Sequence, residues 1–163
     1  MSTLDQKIEQ NGGELTVTRE FDATRKLVFE TYSNCKHLKN WWGPRAWPLS
    51  YCKMDFRVGG RWHFCMKGPD GTEAWGLGIY KDIKPYEHIH YEDYFSDKDG
   101  NPNKTMPFTL IKVEFIEKGD KTIVKAVANY SSKAELQKVL DMGMIAGMTE
   151  TYDRLDDYLP VVM

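Results

Sequence analysis

Residues 132–160 read SKAELQKVLDMGMIAGMTETYDRLDDYLP, and the way this stretch folds decides the architecture of the whole chain. Ser132 and Glu135 match the capping box S-x-x-E, in which each side chain closes on the other's backbone N–H. Behind them Leu136, Leu140, Met144, Met148, Tyr152, Leu155 and Leu159 recur every three or four residues up to Pro160. That spacing predicts one amphipathic helix of about seven turns. No other segment offers a helix of this length, so its apolar stripe must cover the sheet formed by the rest of the chain.

Upstream the apolar period is two. ELTVTREF over 14–21 predicts a first strand with Leu15, Val17 and Phe21 toward the core, preceded by a polar tail over 1–13. Asp22 or Thr24 can cap a short helix, and Ser33 or Asn34 a second one carrying Leu38, Trp41 and Trp42, which Gly43-Pro44 stops. From Leu49 the alternation resumes, with Cys52, Met54 and Phe56 on one side. RWHFCMK over 61–67 then sets Trp62, Phe64 and Met66 against Arg61, His63, Cys65 and Lys67. The turn GPDG leads into a strand expected to place Trp75, Leu77 and Ile79 together. HIHYEDYF over 88–95 sets Ile89, Tyr91, Asp93 and Phe95 against His88, His90, Glu92 and Tyr94. A long polar loop over 96–107 and a hairpin through KGDK complete the pattern. The expectation is an α+β domain over 14–160 with about seven hairpin-connected, antiparallel strands.

Composition limits function. The 163 residues are 41% hydrophobic and 13% aromatic, with a formal charge of −2. Charge near zero without a basic patch argues against nucleic acid, and no apolar run approaches the ~18 residues of a membrane span. Cys35, Cys52 and Cys65 form no C-x-x-C and are an odd set, which predicts reduced, buried thiols in the cytoplasm and no disulfide.

WWGP at 41–44, MDFRVGGRWHF at 54–64, WGLGIY at 75–80 and GMIAGMTETYDRLDDYL at 143–159 resemble bacterial homologues of the heat-shock-protein 90 ATPase activator. These belong to the START-like (SRPBCC) superfamily. The resemblance covers roughly 14–160. It implies a helix-grip fold, in which a curved antiparallel sheet wraps around the C-terminal helix and leaves a cavity between them, and it suggests a part in the stress response. Many relatives carry a tryptophan in the final helix where this chain has Thr149 to Tyr152. The 163 residues leave no room for the separate chaperone-binding domain that the eukaryotic co-chaperone carries.

On this reading Trp41, Trp42, Trp62, Phe64, Trp75, Tyr91 and Phe95 are candidates to line an apolar cavity, with Met144 and Met148 as adaptable walls. Trp41 and Trp42 lie about 100° apart on a helix and need not share one environment. Trp47, between prolines, is expected to be partly exposed. Asp93 is a carboxylate turned inward by the alternation and can orient a guest. Gly143 and Gly147 mark either close packing or part of a pocket, and Gly76 and Gly78 a close backbone approach. His88, His90 and Glu92, with His63, are read as a solvated outer face, so no metal is assigned, and no cofactor or catalytic residue either. Glu150, Asp153, Asp156 and Asp157 read as a solvated helix face.

The expected function is non-enzymatic binding of a small, largely apolar molecule. A chaperone co-factor or interaction module is the alternative, and a cyclase- or dehydratase-type enzyme a third. Expected partners are thus a small apolar ligand or a chaperone, with no nucleic acid and no membrane, for a monomer or weak homodimer.

Overall fold

The computed structural model describes residues 6–163. Its strands are β1 (Lys7–Asn11), β2 (Glu14–Phe21), β3 (Leu49–Met54), β4 (Arg61–Lys67), β5 (Glu73–Lys84), β6 (His88–Phe95), β7 (Thr109–Lys118) and β8 (Lys121–Asn129). They form one eight-stranded sheet in the order β1-β2-β8-β7-β6-β5-β4-β3. Every neighbouring pair is antiparallel. Helices α1 (Arg25–Thr31) and α2 (Cys35–Leu38) form the crossover from β2 to β3. The side chains of Thr24 and Asn34 cap them, accepting from the N–H groups of Leu27 and His37. Helix α2 is a single turn, so Trp41 and Trp42 follow it in a tight turn instead of riding on it.

The final stretch corrects the expectation of one helix. It divides into α3 (Lys133–Leu140) and α4 (Met144–Val162). Between them Gly143 adopts φ 87°, a left-handed conformation that costs glycine nothing and ends an α-helix cleanly. Ser132 caps α3 as expected, accepting from the N–H of Glu135. Pro160 does not stop α4, which runs on to Val162. So close to the helix end, the missing N–H removes only one ladder bond.

Two further expectations are corrected. Residues 7–11 are not tail: they pair with β2 as the edge strand, Lys7 opposite Thr18 through Asn11 opposite Glu14. Cys35 and Cys52 are bonded as a disulfide, their Cα atoms 5.7 Å apart, which ties α2 to β3, while Cys65 is a free, buried thiol. A pairing across 17 residues is a fact of tertiary proximity that local spacing does not announce.

The space between sheet and helices is filled unevenly. Where α1 meets the sheet, Phe29 packs edge-on against Phe56, Tyr86 and Phe115, and Tyr32 against Trp41 and Phe115. Along α4, Tyr152, Leu155 and Leu159 are buried and join a cluster that includes Leu15, Val17 and Phe21 of β2. Farther toward the N-terminus of α4, Gly147 and the alanines and glycine of the facing strands leave the layers apart.

Candidate functional site

That gap is a cavity of about 610 Å³. Its cause is legible residue by residue. The inward positions of β8 are Ala126 and Ala128, β5 contributes Ala74 and Gly76, and α4 contributes Gly147, all on the cavity wall. Side chains this short cannot bridge the ~10 Å between packed layers. A Cβ at Gly76 would collide with the ring of Phe64, so glycine there lets that ring lie flat on the strand.

The candidate residues separate into groups. Trp42, Phe64, Tyr91, Asp93, Phe95, Met144 and Met148 border the cavity together. Trp41 and Trp62 do not. Trp41 is fully buried, with its indole N–H donating to the Thr31 carbonyl at 3.0 Å. Trp62 stacks on Phe64 from behind, with ring centroids 4.4 Å apart. Trp75 touches the cavity, but its ring stacks at 5.0 Å on His63, the outward side of β4. The phase of β5 thus puts its glycines inward, opposite to the expected face. Trp47 is half-buried, borders the cavity, and has its ring against Gly68.

Sequence reasoning missed Tyr130, Tyr152, Met66 and Met142, which also form wall. Tyr130 could have been found by extending the inward run Ala126, Ala128 by two residues, and Tyr152 by its place one turn after Met148. The Tyr130 hydroxyl points at the Met144 sulfur, 3.8 Å away.

Electrostatically the cavity has one distinctive group. Among the described residues, Asp93 is the only charged side chain on its wall. No hydrogen bond or ion pair from the described residues reaches its carboxylate, and Arg57, a conceivable partner, is engaged 2.7 Å from Asp55. Burial pushes Asp93 up to about 7. Burial, together with the charge of Asp93, also raises the phenols of Tyr91 and Tyr130, which remain protonated donors at neutral pH. Thr109 and Thr151 have hydroxyls on the same wall, but each donates to a main-chain carbonyl, of Asn129 at 2.7 Å and of Gly147 at 2.9 Å.

His63, His88 and His90 lie on the opposite face of the sheet. Among the described residues, Asp82, His88 and His90 bring their ligand atoms within 4.8 Å of one another, a set that suits a borderline divalent metal ion. A bulge between Tyr80 and Asp82 aligns Asp82 with His90. Asp82 accepts from His88 at 2.8 Å, and its side chain is 58% exposed. Glu92 belongs elsewhere, accepting from the Tyr94 hydroxyl, and His63 contacts the Asp97 carbonyl in the long loop.

The acidic face of α4 is not simply solvated. Asp153 and Asp156 both bind the buried Arg19 of β2. Glu150 accepts from the backbone N–H of Arg45, and Asp157 pairs with its guanidinium. Arg154 leaves Glu150 alone and donates to the carbonyls of Asn40, Trp42 and Gly43, fixing the tryptophan turn over the helix.

The model of the family "Activator of Hsp90 ATPase homolog 1-like protein" matches residues 22–160, which take in the cavity-bearing sheet from β3 to β8 and the C-terminal helix. The chain belongs to this family. The AHSA1-like assignment agrees with solved structures. A solution structure of a protein from Arthrobacter aurescens superposes with a TM-score of 0.88 at 29% identity, covering 94% of this chain and 91% of that one. A crystal structure of a protein from Mycobacterium smegmatis gives 0.86 at 32% identity, covering 95% of each. The AHSA1 protein of Silicibacter pomeroyi, at 18% identity and a TM-score of 0.72 over 92% of this chain and 99% of that one, shares the fold. No curated protein matches. Among the described residues no helix of this AHSA1-like chain is long and apolar enough to cross a membrane.

Proposed function

We propose that this AHSA1-like chain binds a small, largely apolar molecule between its sheet and α4 and performs no chemistry on it. The cavity itself carries the reading. At about 610 Å³ it falls within the roughly 300–1,000 Å³ range of small-ligand sites, and aromatic rings and thioethers are prominent in its wall. Met66, Met142, Met144 and Met148 can re-pack around guests of different outline. Asp93 would orient the guest. Binding is favoured over catalysis because, among the described residues, the wall offers one carboxylate with neither a histidine nor a second acid, and its threonine hydroxyls are already committed. Native mass spectrometry of the purified protein and a thermal-shift screen of apolar compounds test the reading. A co-purifying mass or a stabilising compound is expected, and the absence of both would remove its support.

The family's description favours a second reading, a chaperone co-factor. Stimulation of the cognate chaperone's ATPase by micromolar protein would support it, and no stimulation with no co-purifying chaperone would count against it. Either role is placed in the cytoplasm, where the Cys35–Cys52 bond would be open to reduction.

A further inference from the structure

We propose that the guest is an organic cation, an aryl or alkyl amine whose protonated nitrogen rests against Asp93 while its carbon skeleton fills the apolar remainder of the cavity. The inference rests on the binding reading above and adds the chemical class of the guest.

Three observations converge on it. Among the described residues, Asp93 is the only charged side chain on the wall, with no lysine, arginine or histidine there to neutralise it. Its carboxylate has no side-chain partner among the described residues, and burial is the one influence acting on it. The same cavity presents the rings of Trp42, Phe64, Tyr91 and Tyr130, whose electron-rich faces attract an ammonium group.

Other guests use this wall less well. A carboxylate guest would meet Asp93 as a like charge in a medium that screens poorly. An alcohol can hydrogen-bond to Asp93 but leaves its charge uncompensated. Only a cation recovers, through Coulomb attraction, what desolvating the carboxylate costs.

Among the described residues, the other titratable groups on the wall with Asp93 are all phenols: Tyr91 and Tyr94 of β6, Tyr130 just after β8, Tyr152 of α4 and Tyr32 after α1. Their pKa values are raised by burial, so none changes charge between pH 5 and 8. Asp93 alone then governs the pH dependence. With its carboxyl at about 7, an arriving ammonium must expel a proton at lower pH, and affinity should fall about tenfold per pH unit below that point.

The test uses three probes on one skeleton, 4-phenylbutylamine, 4-phenylbutanol and 4-phenylbutyrate, titrated calorimetrically into the full chain in phosphate buffer at pH 8 and pH 5.5. The expected result is that the amine binds at least ~10-fold more tightly than the alcohol at pH 8, the carboxylate most weakly, with the amine's advantage shrinking at pH 5.5. In Asp93→Asn that advantage should vanish while the alcohol still binds. Circular dichroism confirms the variant's fold, and the pH series on the native chain serves if it does not fold. Equal binding of amine and alcohol, unaffected by Asp93→Asn, would overturn the inference and leave apolar binding standing. If none of the three binds, the amine class is excluded, and the broad screen separately decides the binding reading.

Discussion

The guanidinium of Arg19, on β2, lies 2.6 Å from the carboxylate of Asp156, on α4, and the arginine side chain is wholly shielded from solvent. The same Nη2 reaches Asp153 at 2.8 Å, and Nη1 donates to Gln6. The rings of Phe21 and Tyr152 flank the charge at 5.6 and 5.9 Å. A single buried cation thus joins the helix to the sheet and fixes the height of α4 over the cavity.

Removing that cation leaves two half-buried carboxylates facing each other. Arg19→Met should cost about 3–5 kcal/mol, the usual consequence of breaking a buried ion pair from one side. Asp153→Asn, which leaves Asp156 in place, should cost clearly less. Urea denaturation of the three proteins measures both.

Stability should fall as pH rises through neutrality, because of Asp93. Its carboxyl titrates at about 7 in the folded chain and near 3.9 in an unfolded one. The folded state therefore holds the proton more tightly. The stabilisation is complete below about pH 4 and lost as pH passes 7, at most ~4 kcal/mol. Asp93→Asn should melt above the native protein at pH 8 and level with it at pH 4, as seen in thermal unfolding at the two values.

Filling the void should abolish binding without unfolding the domain. Ala128 lies on β8 opposite Leu15 of β2 and Ile111 of β7, all three on the cavity wall. Ala128→Phe places a ring in open space and should eliminate any guest found by mass spectrometry, with stability changed by no more than ~1 kcal/mol. Gly76→Ala is the contrasting case: its methyl group meets Phe64, and overpacking should cost about 1–3 kcal/mol by the same denaturation assay.

The Cys35–Cys52 link closes a loop of 17-residue separation, for which chain entropy gives about 3 kcal/mol. Replacing both cysteines with serine should lower the urea midpoint accordingly. Thiol titration of the unfolded, unreduced protein should find one free sulfhydryl, that of Cys65.

Much of this architecture is legible in the sequence, and the exceptions have physical causes. β2, β4 and β6 begin and end where alternation places them, because each has one face against the core. β1 escapes notice because all five of its residues are exposed, and a strand held only by main-chain pairing leaves no hydropathy pattern. The phase of β5 is hidden because Gly76, Leu77 and Gly78 are all buried, and glycines do not reveal which face is inward. The break at Gly143 is hidden because the apolar spacing continues across it. Asp93 stands out by contrast, a lone charge in an apolar alternation. The ionic partners of α4 do not, since Arg19 lies 134 residues from Asp153.

The break between α3 and α4 bears on how quickly the cavity can exchange its contents. Met142, Gly143 and Met144 all border the cavity, and Met142 is 57% exposed, so the wall reaches the protein surface where the helical ladder is already interrupted. A molecule passing there needs thioether rotations, which take picoseconds to nanoseconds, and does not have to wait for a helix to unwind. If the cavity holds a guest as proposed, its residence time would be set by how well it is held, and neither helix would have to unwind for it to arrive or leave.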